Sequence, residues 1–286
     1  MVNGFLLGCI EILPGIVDVR RSAIVSLTAA MLASLGPVGA CEGLRLEPGG
    51  VVVEVSDGDT LVLESGLVVR LIGTQAPKLP LGREGFPTWP LAREAKAELE
   101  KLALRRSVVL GYGGEEVDRY ERALAHVFVE TESGERIWAQ RHMIESGLAR
   151  VYSFPDNRLC LDQLLLSERR ARVERLGIWA DPYYSVRAAD RPEDLVDRAG
   201  DYELVEGRVL LADRSGSRVY LNFGRFWKED FTAVIEAPAL KLFAAAGLDP
   251  LTLEGTLVRV RGWIDNRDGP RIEVTHPEQI EVLARQ

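Results

Sequence analysis

Three short groups of residues carry the side chains that could do chemistry. Asp57-Gly58-Asp59-Thr60 sets two carboxylates on either side of a glycine, and Arg70-Leu-Ile-Gly-Thr-Gln-Ala-Pro-Lys78 follows with an arginine, an amide and an ammonium. Asp118-Arg-Tyr-Glu-Arg122 adds further guanidinium next to a tyrosine. Arginine keeps its charge, and its planar fork can grip two phosphate oxygens at once. Carboxylates are the usual ligands of a hard cation. These types together suit a site that holds a phosphate and a cation. Cleaving a phosphodiester adds charge to a group that is already anionic, so it needs fixed positive charge and an activated water. Gln75 and Lys78 are the anomaly, because an amide and an ammonium stand where a cation site wants carboxylates.

The elements that must position these groups are mostly short strands. Val51–Val55, Thr60–Glu64 and Val68–Ile72 are rich in β-branched residues and separated by the turn pairs Asp57-Gly58 and Ser65-Gly66. A proline- and glycine-rich loop from Pro77 to Pro90 precedes a helix over Leu91–Leu104, with Leu91, Ala95, Leu99 and Leu102 at helical spacing. Strands are expected at Ser107–Tyr112 and Ala123–Val129, then helices at Ile137–Ser146 and Leu159–Leu176. Residues 181–200, charged and carrying two prolines, read as a linker. The tail then repeats the outline: strands at Tyr202–Leu211, Arg218–Asn222 and Phe231–Ile235, a helix at Ala237–Ala246, and strands at Leu257–Trp263 and Arg271–Val274. Three strands, a helix and two strands is the order of a five-stranded, partly open OB barrel. The expected fold is therefore mainly β with helices (α+β), with one OB-type barrel over 48–180 and a second, smaller OB-like barrel over 201–286.

The whole chain sets limits. With 286 residues, 47% of them hydrophobic and 27% charged, it is a globular protein able to bury a core in each module. A formal charge of −8 argues against capture of nucleic acid by a broad basic face but leaves room for a local cleft. Residues 1–40 read as a leader: Arg20-Arg21, an uncharged run from Ser22 to Leu35, then Gly36-Pro-Val-Gly-Ala-Cys41. The run is too short to span a bilayer as a permanent helix. Val38-x-Ala40 suits ordinary cleavage and Val38-Gly-Ala-Cys41 suits lipidation of Cys41; the two alternatives stay open. The start of translation is expected nearer Val17 or Val19. Cys9, Cys41 and Cys160 have no metal-ligand spacing and imply no disulfide framework, with Cys160 read as core.

In order along the chain, Asp57-Gly-Asp-Thr60, Arg70-Leu-Ile-Gly73, Asp118-Arg-Tyr-Glu-Arg-Ala-Leu-Ala125, Gly147-Leu-Ala-Arg-Val151 and Gly177-Ile-Trp179 resemble the staphylococcal nuclease (thermonuclease) family. The resemblance covers about Val51 to Trp179. It implies an OB-type barrel that hydrolyses DNA or RNA, with Arg70 and Arg122 gripping phosphate as catalytic residues and Tyr120 near the nucleotide. It also implies a calcium site built on Asp59, with further ligands at the positions of Gln75 and the Ala76 carbonyl. The family's glutamate base falls at Lys78.

This chain departs from the pattern at both remaining carboxylates, which weakens calcium as a cofactor, and Glu121 replaces a glycine beside Arg122. Three readings follow. The site is silent and the fold only binds. Or another carboxylate, Glu84 or Glu94, supplies the base. Or the site is rebuilt, with Lys78 held by Asp59 where the metal's charge would be, Gln75 offering a neutral contact, and Lys78 acting as fixed cation or base. The leading expectation is an exported nuclease acting on DNA or RNA phosphodiesters, single-stranded for preference and metal-independent. The alternative is an inactive nucleic-acid-binding or envelope interaction module.

The three histidines, His126, His142 and His276, fall on different elements and form no catalytic set. The tail resembles the OB-type extension that follows nuclease domains in some bacterial proteins. There Phe223, Phe226, Trp227 and Trp263, with Arg225, Arg259 and Arg261, could form a stacking and phosphate surface, or could be barrel filling and solvated charge.

Overall fold

The computed structural model describes residues 41–284, so the expected leader and its cleavage region lie outside the described residues. The first module contains strands β1 (Arg45–Asp57), β2 (Thr60–Leu63), β3 (Val68–Leu71), β4 (Thr74–Gln75), β5 (Ser107–Tyr112), β6 (Ala123–Glu130), β7 (Arg136–Trp138) and β8 (Arg150–Val151). Its helices are α1 (Ala92–Ala103), α2 (Ala139–Glu145) and α3 (Leu161–Val173). The strands run β3-β2-β1-β5-β6, and a parallel pairing of β3 with β6 closes the ring. Long β1 serves both sides, pairing with β2 at one end and β5 at the other. Helix α1 forms where apolar residues recur every three to four positions, and it buries Ala92, Ala95, Leu99 and Leu102. Truncating fully buried Leu99 to alanine should cost about 2–5 kcal/mol.

Glycines let two motifs pack closely. A Cβ on Gly58 would stand 2.6 Å from the Ala76 Cβ and 2.7 Å from the Ala95 Cβ, so only glycine lets the β1–β2 turn sit against both α1 and the segment after β4. Gly147 and Gly177 touch backbone to backbone, and Ile178 N donates to Gly147 O at 2.8 Å. That contact brings the end of α3 beside β8, so the two distant motifs form one structural unit.

The second ring repeats the first. Its strands are β9 (Arg187–Ala188), β10 (Tyr202–Arg208), β11 (Leu211–Ser215), β12 (Arg218–Asn222), β13 (Thr232–Ile235), β14 (Leu257–Asn266), β15 (Pro270–Val274) and β16 (Ile280–Ala284), with helices α4 (Pro192–Val196) and α5 (Ala237–Ala245). The order β11-β12-β13-β15-β14-β10 closes through the short chain between β10 and β11, and β13 pairs parallel to β15 as β3 does to β6. If β10 and β11 are taken together as one bent first strand, both rings have the same path. Along β12, Val219 and Leu221 point into the core while Arg218, Tyr220 and Asn222 face out, the two-residue alternation of a strand with one buried face.

Three expectations change. Residues 181–200 are folded in: β9 pairs with β10, and Leu195 and Ala189 enter the second core. The helix expected from Ile137 begins as strand β7, because Ile137 and Trp138 continue the sheet beside β6 before α2 starts. Cys41 and Cys160, 119 residues apart, form a disulfide with Cα atoms 5.5 Å apart, so Cys160 is a staple rather than plain core. Chain spacing held no trace of that pair, since the contact depends on where the residues just before β1 meet the start of α3.

The described residues belong to one compact unit, and the two rings meet through buried charge. Arg261 on β14 is fully buried between Glu168 of α3, at 2.7 Å, and Glu281 of β16. Glu168 also accepts from Val151 N at 2.7 Å and from Arg172 at 2.8 Å. Ser153 and His276 Nε2 are hydrogen-bonded at 2.7 Å, and Arg158 grips Glu278 through two nitrogens.

Candidate active site

The β1–β2 turn delivers Asp59 to the interior. Asp57 Oδ1 accepts from Asp59 N at 3.0 Å, a local turn bond that aspartate favours. Asp59 is completely buried, and its Oδ2 accepts from Ala76 N at 2.7 Å. Lys78 Nζ lies 2.7 Å from both Asp59 oxygens and 3.3 Å from Asp57 Oδ2. Arg70 Nη1 is 3.2 Å from Asp59 Oδ1. Burial pulls the Asp59 carboxyl upward, but Arg70 and Lys78 outweigh it and hold the group well below the usual carboxylate range. Asp57 moves the other way, raised by burial and by the charge of Asp59.

Arg70 ends β3 with its guanidinium turned onto the backbone. Nη1 donates to Asp59 O and Leu71 O, and Nη2 to Thr74 O. Gln75 is buried, and its amide oxygen accepts from Arg150 Nε at 2.9 Å and Nη2 at 2.7 Å. Arg150 is buried in turn and lies 4.9 Å from the ring centroid of Tyr202 in the second module. The expected substrate contact from Gln75 is therefore corrected: its one acceptor is committed to Arg150, inside the fold.

Calcium wants roughly six to eight oxygen ligands. Here both Asp59 oxygens serve Lys78, the Gln75 oxygen serves Arg150, and an ammonium stands at the centre of the set. These residues do not fit the ion.

Arg122 is arranged by Asp118. The Asp118 carboxylate accepts from Tyr120 N at 2.8 Å and Arg122 N at 3.0 Å through one oxygen, and from Arg122 Nε at 2.8 Å through the other. Burial raises the Asp118 carboxyl, and these bonds, chiefly from Arg122, lower it by more. Glu121, beside it in the chain, makes no ion pair with Arg122, which is held by Asp118. Glu121 instead takes φ 63°, the left-handed conformation that a glycine would adopt without strain. Tyr120 is 63% exposed, with Arg119 at 4.9 Å and Arg122 at 5.5 Å from its ring.

Arg70, Arg119, Tyr120 and Arg122 face one cleft of about 540 Å³, together with Glu115 and Asp156. The structure thus brings Arg70, Arg122 and Tyr120 to one cleft, places Asp59 and Lys78 in the cluster behind Arg70, and withdraws Gln75. Glu84 and Glu94 are exposed, on the loop and on α1, and make no ion pair or hydrogen bond to this cluster among the described residues. Glu115 and Asp156 were missed; both are acidic and exposed, and nothing in their local sequence marks them. Arg150 was missed as a contact of Gln75, although it sits within the Gly147–Val151 motif.

The other expected groups sort clearly. Phe223 packs on Phe231 at 5.0 Å, and Trp263 contacts Tyr152 and Tyr202 at the junction. Arg259 pairs with Glu206, and Arg261 is the buried ion at the junction. These four are structural. Phe226, Trp227 and Arg225 are exposed. Burial pushes His126 and His276 down to about 4, so both sit neutral in the fold.

Similarity to known proteins falls on the first module. Residues 68–181 match the family model for staphylococcal nuclease homologues. The chain is 33% identical over 141 residues to Protein ParB of Escherichia coli, covering 47% of this chain and 73% of that one. It is 32% identical over 143 residues to a micrococcal nuclease of Shigella flexneri, covering 46% and 74%. It is 29% identical over 135 residues to a thermonuclease of Staphylococcus intermedius, covering 45% and 74%. Motif order, ring topology and these relatives agree, and the chain belongs to the staphylococcal nuclease family.

Proposed function

We propose that the chain hydrolyses phosphodiester bonds of DNA or RNA at the Arg70–Arg122 cleft without calcium. The relatives support a nuclease-type function and nucleic acid as the substrate class. The observation that carries the metal-free reading is the position of Lys78, 2.7 Å from both oxygens of Asp59. Its ammonium supplies the positive charge that a bound ion would bring, and Asp59 and Asp57 hold it in place. Donation to three carboxylate oxygens commits its protons, so Lys78 serves as a fixed cation and not as the base. Arg122, half-buried on the cleft wall, grips the phosphate, and Arg70 adds positive potential from behind.

Water then needs another proton acceptor. Glu115 and Asp156 line the same cleft and carry no side-chain ion pair among the described residues. One of them takes the proton as water adds to phosphorus and the ester oxygen leaves. Tyr120 offers an exposed ring for a base of a single-stranded substrate. Export to the periplasm or beyond is part of the proposal. The leader pattern supports it, and the Cys41–Cys160 disulfide suits an oxidising compartment. That disulfide also takes the Cys41 sulfur that lipidation would need, which favours ordinary cleavage before it.

The test is cleavage of single-stranded DNA and RNA by the wild type beside Arg122→Ala, Glu115→Gln and Asp156→Asn. Cleavage lost in Arg122→Ala and in one carboxylate variant supports the proposal. Intact substrate with folded wild-type protein would leave a binding module on the nuclease fold.

A further inference from the structure

A cleft of about 900 Å³ lies on the second barrel, and nothing above uses it. It covers the outward face of β11, β12 and β13, bordered by the loop after β12 and the loop between β14 and β15. Three observations bear on its occupant. Trp227, 56% exposed, and Tyr220 face it, and neither belongs to the second core. Arg218, Arg225, Arg267 and Arg271 also line it, against Asp213 and Asp268, in a chain whose overall charge is −8. Arg218 is held by Glu236, and Arg267 and Arg271 share Asp265, whereas Arg225 has no ion-pair partner among the described residues.

The third observation is topological. The first-barrel cleft is bordered by the third strand (Arg70), the loop between the fourth and fifth strands (Glu115 to Arg122) and the fifth strand (Leu124). The second-barrel cleft is bordered by the same three parts of its own ring: β13, the loop carrying Arg267 and Asp268, and Arg271 of β15. Two rings with one path thus open their clefts at corresponding edges, each with exposed aromatic and guanidinium groups.

We propose that the second-barrel cleft binds a single-stranded segment of nucleic acid, as a non-catalytic subsite for the polymer that the first cleft cleaves. Bases stack on Trp227 and Tyr220, and phosphates meet Arg225 and Arg271. A flat ring takes any base, so the site is sequence-tolerant. Among the described residues no buried carboxylate cluster with a fixed cation like that of Asp59 and Lys78 accompanies it, so it holds and does not cut. The subsite rests on the proposed substrate class, and its failure is separable from failure of that reading.

The experiment measures binding by anisotropy, in EDTA, using the full chain; the fluorescein-labelled thymidine 12-mer and dinucleotide carry phosphorothioate linkages, which resist hydrolysis at the first cleft. Wild type is compared with Arg225→Ala/Trp227→Ala and with Arg122→Ala, each checked for an unchanged melting temperature. The double variant should weaken 12-mer binding by roughly ten-fold or more, while a thymidine dinucleotide, short enough for the first cleft alone, binds it as it binds wild type. Unchanged 12-mer affinity in the double variant overturns the subsite and leaves the first-cleft reading standing. Binding lost in the double variant but untouched by Arg122→Ala supports the subsite and counts against the first cleft. No binding by any form overturns both. A heparin fragment, which has charge but no bases, binding wild type as tightly as the 12-mer would overturn the stacking assignment.

Discussion

The two barrels have the same strand path and different interiors at the same edge. In the first, the third-strand edge is charged inward: Asp59, Arg70 and Lys78 sit behind the cleft in one buried cluster. In the second, the corresponding strand turns Ala233 and Ile235 into the core, the charges lining the cleft lie on its outer face, and the buried pair of Arg261 and Glu281 sits away at the junction. Shared topology therefore fixes where a cleft opens, and buried charge decides whether it can do chemistry. Buried charge thus lies behind the cleft in the first barrel and at the junction in the second, where it ties the two together.

The largest effect should come from breaking that tie. Arg261→Ala removes the fully buried guanidinium between Glu168 and Glu281, leaving them to Arg172 and Arg259 at the edge of the cluster, and should cost about 3–5 kcal/mol. Chemical denaturation should then show the second barrel melting ahead of the first; a single unshifted transition would contradict the coupling.

Acid should act at the same junction. His276 is held at about 4, against an unfolded value near 6.5. Between those values the unfolded chain binds a proton that the folded chain refuses. The stability of neutral His276 is therefore complete above about pH 6.5 and is lost as pH falls toward 4. Thr275 Oγ1 and Ser153 Oγ already satisfy its two ring nitrogens in the neutral state. Denaturation series across this range should lose up to about 3 kcal/mol for each of the two buried histidines, the His276 share being absent in His276→Gln. His126, also held at about 4, loses stability over the same window and accounts for the remainder.

A smaller change sharpens the contrast within the first barrel. Gln75→Asp with Lys78→Glu restores carboxylates around Asp59 and removes the ammonium. Millimolar calcium should then raise the melting temperature of that variant by several degrees and leave wild type unmoved. Equal shifts would mean that Lys78 does not occupy the ion's place.

Smallest is Glu121→Gly. It relieves the left-handed residue at φ 63° and removes a negative charge beside Arg122. Its effect on stability should stay within about 1 kcal/mol, while phosphate-analogue affinity rises a few-fold in a competition assay.

Much of this was legible in the chain. β-branched runs and turn pairs marked the strands, and the heptad-like spacing of Ala95, Leu99 and Leu102 marked α1, because each pattern reports a buried face directly. Asp59, Arg70, Lys78 and Arg122 were legible because their motifs sit at strand ends, where the ring itself aims them. What escaped depended on distant contacts. Arg150 takes Gln75 from 75 residues away, and Cys41 meets Cys160 across 119. Trp263 and Arg261 have the alternation of a barrel strand, but only the neighbouring module decides that one stacks and the other is an ion at the junction. Glu281 and β16 escaped for the same reason: a short terminal strand gains its meaning from pairing with β14.

The most direct test of the central claim is the rate at which purified wild-type protein cleaves single-stranded DNA and RNA in excess EDTA and in excess calcium. Lys78 as the fixed cation predicts equal rates in the two conditions, and loss of both in Arg122→Ala. Cleavage that appears only with calcium, or no cleavage of either polymer by folded protein, would contradict it.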